Sequence, residues 1–163
     1  MAGILETLVK AVYHSPCGNI YLGAVADGLC FAEWVPLEFG EDGGSDVLAD
    51  AVRELDEYFA GNRREFDVPV RYVCGTDFQK KVWDLLKNVK YGDTISYKEE
   101  ARRFGNVKAI RAVASANGRN PISIFIPCHR VIGSDGSLTG YAGGLEKKRF
   151  LLDLEKNFCY IND

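Results

Sequence analysis

Apolar and polar positions change rhythm halfway along the chain. Asn19 to Ala26 (NIYLGAVA) and Leu29 to Val35 (LCFAEWV) are short β-rich runs on either side of Asp27-Gly28. That pair suits a two-residue turn and predicts a hairpin. Glu38 to Ser45 reads as a polar, glycine-rich loop. Leu48, Val52, Leu55 and Phe59 then recur at spacings of three and four, which predicts a helix over about 46–60 with Gly61-Asn62 as its stop. A third strand is expected around 66–72. Nothing in this half suggests chemistry.

From Cys74-Gly75 onward the pattern is one of short helices. Thr76-Asp77-Phe78-Gln79 fits a capping box ahead of the apolar face Val82, Leu85, Leu86 and Val89, and Tyr91-Gly92-Asp93 breaks that helix. Ser96-Tyr97-Lys98-Glu99 is a second such box, opening a helix to about Phe104. Gly105-Asn106 makes a turn, and a further helix is expected over about 107–117. Two short helices joined by a glycine turn are the pattern of a helix-turn-helix. The second helix carries Lys108 and Arg111 and would be the one offered to nucleic acid. Its small residues, Ala109, Ala112, Ala114, Ser115 and Ala116, suit close approach to a groove and plain helix packing equally well. Asn120-Pro121 stops it. Ile122 to Ile126 (ISIFI) is then an apolar run expected to be a buried strand or extended segment delivering Pro127-Cys128-His129-Arg130. Gly133 to Gly144 is a loop with five glycines in twelve residues, and a last helix is expected over about 145–156.

Composition adds little to this picture, but charge adds more. The 163 residues are 47% hydrophobic and 26% charged, with 5 cysteines. Those values belong to a folded globular chain rather than a disordered one. No run approaches the ~18 apolar residues of a membrane span, and no signal peptide is evident, so an intracellular protein with reduced thiols is expected. The net charge of −3 hides a division. Residues 1–76 hold 5 Lys and Arg against 13 Asp and Glu, while residues 77–163 hold 15 against 10. A basic half suggests a polyanionic partner, although solvated basic faces are common.

Cys128 is the candidate nucleophile. Most free cysteines are buried structural residues, but this one precedes His129, one of only 2 histidines, and Arg130. Neighbours on an extended chain point to opposite sides, so the pair needs a bend or an intervening water to communicate. A histidine base usually has a carboxylate behind it. Glu155 is one option, though spacing alone favours a surface pairing with Lys148 or Lys156. The remaining cysteines and His14 lack the paired spacing of a zinc site, and no metal is expected.

The run from Asn120 to Val131 resembles the signature of the O6-alkylguanine-DNA alkyltransferases, the methylated-DNA–protein-cysteine methyltransferases. Gly75 to Gln79, Ile95-Ser96-Tyr97, Arg111-Ala112-Val113, Gly140 to Leu145 and Leu151 to Glu155 match in the same order. The resemblance therefore covers about residues 75–156, and more loosely Ser15 to Gly18 and Glu57 to Gly61. It implies an α/β (α+β) protein. Residues 1–74 would be a strand-rich, ribonuclease-H-like α/β domain with one helix. Residues 75–163 would be a helical DNA-binding and alkyl-acceptor domain with a winged helix-turn-helix.

The resemblance also implies roles. Cys128 would accept the alkyl group, with His129, an ordered water and Glu155 drawing off its proton. Tyr97 would press the target phosphate and help rotate the nucleotide out; on chemical grounds its hydroxyl is also open to giving the leaving base a proton or a hydrogen bond. Arg111 would fill the base stack, and Ile110, Ala112, Ser115 and Arg119 would meet DNA in the minor groove. Asn120 would brace the turn, Tyr141 would wall the pocket, Lys148 would hold the glycine-rich loop and Arg130 would support the site. The expected partner is duplex DNA containing O6-alkylguanine, and also O4-alkylthymine, with no cofactor and no membrane. A monomer able to bind DNA cooperatively is expected, in the cytoplasm or in a eukaryotic nucleus. Cysteine at position 128 separates the chain from relatives that carry tryptophan there and only bind lesions. The rival functions are such a lesion-marking protein and a cysteine hydrolase.

Overall fold

The computed structural model describes residues 7–35 and 44–162, and the chain divides into two compact units, Met1–Cys74 and Gly75–Asp163. In the first unit β1 (Val9–Ser15), β2 (Gly18–Val25) and β3 (Gly28–Val35) form an antiparallel meander in the order β1-β2-β3. The Asp27-Gly28 hairpin joins β2 and β3, pairing Val25 with Gly28. β1 lies outside the strands that the sequence pattern predicts, and it pairs with β2 through the Ser15-Pro16-Cys17-Gly18 turn. The strand expected over 66–72 reduces to one bridge between Leu29 and Val70. Pro69 has no N–H to continue a ladder, but its carbonyl accepts from Leu29 N at 2.8 Å. Residues 38–43 of the expected loop lie outside the described residues.

Helix α1 (Asp46–Phe59) forms as its periodicity predicts, with the Ser45 hydroxyl capping Leu48 N. Leu48, Ala51, Leu55 and Tyr58 are its buried face. Glu54 is also buried, and its carboxylate accepts from the backbone N–H groups of Asp67 and Val68 at 2.9 and 3.1 Å.

The second unit starts with α2 (Asp77–Leu86), opened by the complete Thr76–Gln79 capping box. It closes at Leu86, ahead of the expected breaker. A two-residue strand β4 (Ile95–Ser96) pairs in parallel with β5 (Val131–Ile132). Ser96 caps α3 (Tyr97–Phe104), but the second capping box is only half made. Glu99, which should reach back to the cap, binds Arg102 and Arg103 instead at 2.7 and 2.9 Å. Gly105, at φ 101°, ends α3 in the left-handed conformation that glycine adopts without steric cost. A 3-10 turn (Val107–Ala109) then leads into α4 (Ile110–Gly118). Val82, Ala101, Val113 and Ala116 form the cluster where α2, α3 and α4 meet, and Trp83 Nε1 donates to the Ala116 carbonyl at 2.8 Å. The final helix α5 runs Leu145–Asn162. No helix among the described residues is long and apolar enough to cross a membrane.

Candidate active site

Ile122 to Ile126 are all buried, as their composition predicts, but they do not form an extended strand. Ile126 N donates to the Ile122 carbonyl at 3.0 Å and Phe125 N to the Ser123 carbonyl at 2.9 Å, so the segment folds into a tight turn. Ile124 sits at φ 73°, a left-handed conformation that a β-branched residue adopts only at a cost of order 1–3 kcal/mol. One side chain holds the turn together. The Asn120 amide donates to the Ile126 carbonyl at 2.8 Å and to Cys128 Sγ at 3.3 Å, and its oxygen accepts from Ile122 N at 2.9 Å. The turn and the thiol therefore share one clamp.

Residues Cys128–Arg130 form a 3-10 turn, which supplies the bend that adjacent site residues require. All three are buried, with His129 at 0% exposure. No direct hydrogen bond joins Cys128 to His129 among the described residues. His129 Nε2 lies 2.6 Å from Glu155 Oε2, and Arg130 binds the same carboxylate at 2.8 and 3.1 Å while donating to the Val89 carbonyl at 2.7 Å. Gly92 N adds a fourth donor at 3.1 Å. Gly92 has φ 81°, and a Cβ there would collide with Cys159 Sγ, so this donor depends on glycine. Glu155 is thus a buried member of the site and not the surface charge that spacing alone favoured.

Burial works to raise the Glu155 carboxyl, but His129 and Arg130 outweigh it and hold it well below the usual carboxylate range. Burial pulls His129 down, more strongly than the Glu155 carboxylate pulls it up, which favours the neutral ring. An ionised Glu155 can only accept, so the partners assign the imidazole proton to Nε2. The lone pair then sits on Nδ1, which is buried and has no hydrogen-bond partner among the described residues. Burial also pushes the Cys128 thiol up to about 11, opposed by Asn120 and Lys148. Cys128 therefore rests as a thiol, beside a base that can take its proton through an intervening group.

Cys128 opens into a cleft of about 530 Å³, which falls within the range of ligand pockets. Ile110, Arg111, Ala114, Asn117 and Gly118 of α4 line one side, and Tyr97, Thr139, Gly140 and Tyr141 line the other. Lys148 is fully buried beneath this loop, its ammonium donating to the carbonyls of Thr139 and Gly140 at 3.0 and 3.3 Å and to Tyr97 Oη at 3.4 Å. Tyr97 Oη itself donates to the Thr139 carbonyl at 2.7 Å, and burial raises its pKa. Ala112 and Ser115 on α4, and Arg119 directly after it, are exposed outside the cleft lining. Arg130 lies behind the site against Glu155. Among the described residues no group of three or more His, Cys, Asp or Glu could hold a metal ion.

Asn117 in the cleft lining and Glu100 behind it do not stand out in the sequence as site residues. The Asn117 amide donates to Glu100 Oε1 at 2.7 Å. A signal existed: Glu100 falls on the inward face of α3, three residues after Tyr97 and four before Phe104.

Comparison with known proteins gives a consistent result. Residues 77–157 match the family described as 6-O-methylguanine DNA methyltransferase, DNA binding domain, and residues 8–72 match its ribonuclease-like domain. A methylated-DNA–protein-cysteine methyltransferase of Methanosarcina acetivorans is 46% identical over 153 residues, covering 89% of this chain and 96% of that protein. The crystal structure of the Mycobacterium tuberculosis O6-methylguanine methyltransferase superposes with a TM-score of 0.84 at 40% identity, covering 96% of this chain and 99% of that one. The M. tuberculosis protein crystallised in complex with DNA gives a TM-score of 0.83 at 44% identity, covering 90% and 92%.

Proposed function

The chain belongs to the 6-O-methylguanine DNA methyltransferase family, and from that premise we propose that it repairs DNA by moving an alkyl group onto its own Cys128. The observation that carries this reading is that Cys128 lines a cleft walled by α4, next in sequence to an imidazole held by a buried carboxylate. The substrate is O6-alkylguanine in duplex DNA, with O4-alkylthymine as a second lesion. Residues 75–163 bind DNA and accept the group, while residues 1–74 form a separate α/β domain. The protein acts as a monomer in the cytoplasm, or in a eukaryotic nucleus, and needs no cofactor.

The lesion lies inside the base stack, so the nucleotide must rotate out at a cost of a few kcal/mol. In this reading α4 enters the minor groove, where Ile110, Ala112, Ser115 and Arg119 meet the sugar-phosphate walls and Arg111 takes the place of the extruded base. Tyr97 presses the target phosphate, and Tyr141 closes the pocket. The Cys128 sulfur attacks the alkyl carbon in line. The S–C bond forms as the C–O6 bond breaks, and the electron pair leaves with guanine. The thiol proton passes through a water to His129 Nδ1, and Glu155 stabilises the imidazolium. Guanine gains one proton as it leaves, from the Tyr97 hydroxyl once that group releases the Thr139 carbonyl. The relay then resets, so thiol and alkylguanine become thioether and guanine with no proton gained or lost overall. Nothing at the site can cleave the thioether.

Intact-mass measurement after incubation with an O6-methylguanine duplex tests the reading. One methyl mass per protein, plateauing at one equivalent and mapped to Cys128, is expected. Binding without a mass change would instead make it a lesion-marking protein, and turnover of an ester without DNA would make it a hydrolase.

The role of Arg111 has its own test. Arg111→Ala should slow repair of duplex substrate by roughly 10- to 100-fold, since the extruded state loses part of its few-kcal/mol compensation. Reaction with free O6-benzylguanine should be unchanged, because no gap is created. Equal losses on both substrates would mean that Arg111 supports the pocket or the fold and does not fill the base stack.

A further inference from the structure

A second buried carboxyl is joined to the lining of the Cys128 cleft through Asn117. Glu100 is fully buried on α3, beside the apolar cluster of Val82, Ala101, Val113 and Ala116. Packing there has no use for a charge. Oε1 accepts from Asn117 Nδ2, but Glu100 Oε2 and Asn117 Oδ1 are buried without hydrogen-bond partners among the described residues. Leaving such atoms unmatched is costly, which is the mark of a group retained for another purpose. Glu100 reaches the site through Asn117, which lines the same cleft as Cys128 and Tyr97, and Lys148 bonds Tyr97 Oη at 3.4 Å, so that Glu100, Lys148, Cys128 and Tyr97 act on one another electrostatically. Lys148 is the one cation among them, since Arg130 is committed to Glu155.

A desolvated cluster with one cation stabilises one anion and opposes a second. Resting on Cys128 as the alkyl acceptor, we propose that Glu100 is a positioning residue for the transfer, competing with Cys128 for the positive charge of Lys148. While Glu100 is ionised the thiol keeps its proton, and when Glu100 is neutral the thiolate inherits Lys148. The balance is close: burial lifts Glu100 to about 7, against the pulls of Asn117 and Lys148. Glu100 in turn raises the thiol that Lys148 lowers. A charged Glu100 therefore acts as a brake that is strongest on the alkaline side of neutrality. Alkylation ends the competition, because a thioether carries no charge and leaves Lys148 to Glu100.

The test is the pH profile of Cys128 labelling by iodoacetamide, resolved by peptide mapping, alongside methyl uptake from a methylated duplex. Near pH 8, E100Q should label and methylate roughly tenfold faster than wild type, with the labelling midpoint lowered by about one pH unit. E100D, which keeps a carboxyl, should retain the wild-type profile. If E100Q does not fold, E100M removes the same charge with an apolar side chain and should show the same acceleration. Superimposable profiles for wild type and the uncharged variant would overturn the proposal even where methyl transfer proceeds normally. A wild-type protein that never gains methyl mass would overturn the alkyl-acceptor reading, while the labelling series would still decide the role of Glu100.

Discussion

Cys128→Ser should abolish methyl uptake, lowering the rate by more than about a thousandfold, while duplex binding is unchanged. A serine hydroxyl fits the same space and can keep the Asn120 hydrogen bond made at 3.3 Å by sulfur. What it loses is the soft, ionisable nucleophile. Burial already lifts the thiol to about 11, and an alcohol in that setting stays protonated beside the same imidazole. Binding should survive because the exposed face of α4, with Ile110, Arg111 and Ser115, is untouched. Methyl uptake by the serine variant, at another cysteine or at the serine itself, would remove Cys128 from its place as acceptor.

Glu155→Gln should cost about 3 kcal/mol of stability and slow transfer roughly a hundredfold. The carboxylate is almost fully buried and receives Arg130, His129 and Gly92 N together. A neutral amide leaves the Arg130 guanidinium buried without a counter-charge. It also leaves His129 without the anion that stabilises its protonated form. The pH dependence has a definite sign. Because the folded-state carboxyl lies below its ordinary value, its contribution is complete above the unfolded carboxylate pKa of about 4.3 and fades as pH falls through and below that range. Urea unfolding of wild type and variant should therefore differ fully at neutral pH and converge in acid. Equal midpoints at neutral pH would mean that Arg130 is satisfied without Glu155.

Where a local signal decides local structure, the sequence is a sufficient guide. The Asp27-Gly28 turn, the periodicity of α1 and the Thr76–Gln79 box all act within a few residues of the structure they produce. The structure departs from the local pattern where distant partners decide. β1 forms because β2 offers it a ladder, across a turn lacking the usual hairpin dipeptides. Pro69 limits the segment over 66–72 to one bridge. The ISIFI run shows its burial through composition, but its fold depends on the Asn120 amide reaching six residues ahead. At the site, Cys128 and His129 stand out by type and adjacency. Glu155 does not, because its partners lie 25 and 26 positions away. Glu100 looks like one more helix charge until its direction on α3 is considered.

The burial of Cys128 bears on how long an acceptor used once survives before it meets its lesion. Dissolved oxidants, disulfides and stray electrophiles consume thiols in proportion to their thiolate fraction and their access. Cys128 is 6% exposed and holds its proton firmly. Both properties slow its loss to small reagents, whereas a base seated in the cleft brings its carbon to the sulfur directly. Tardy chemistry in the empty cleft is thus a form of shelf life, through which a molecule with a single charge of reactivity stays loaded until the right target arrives.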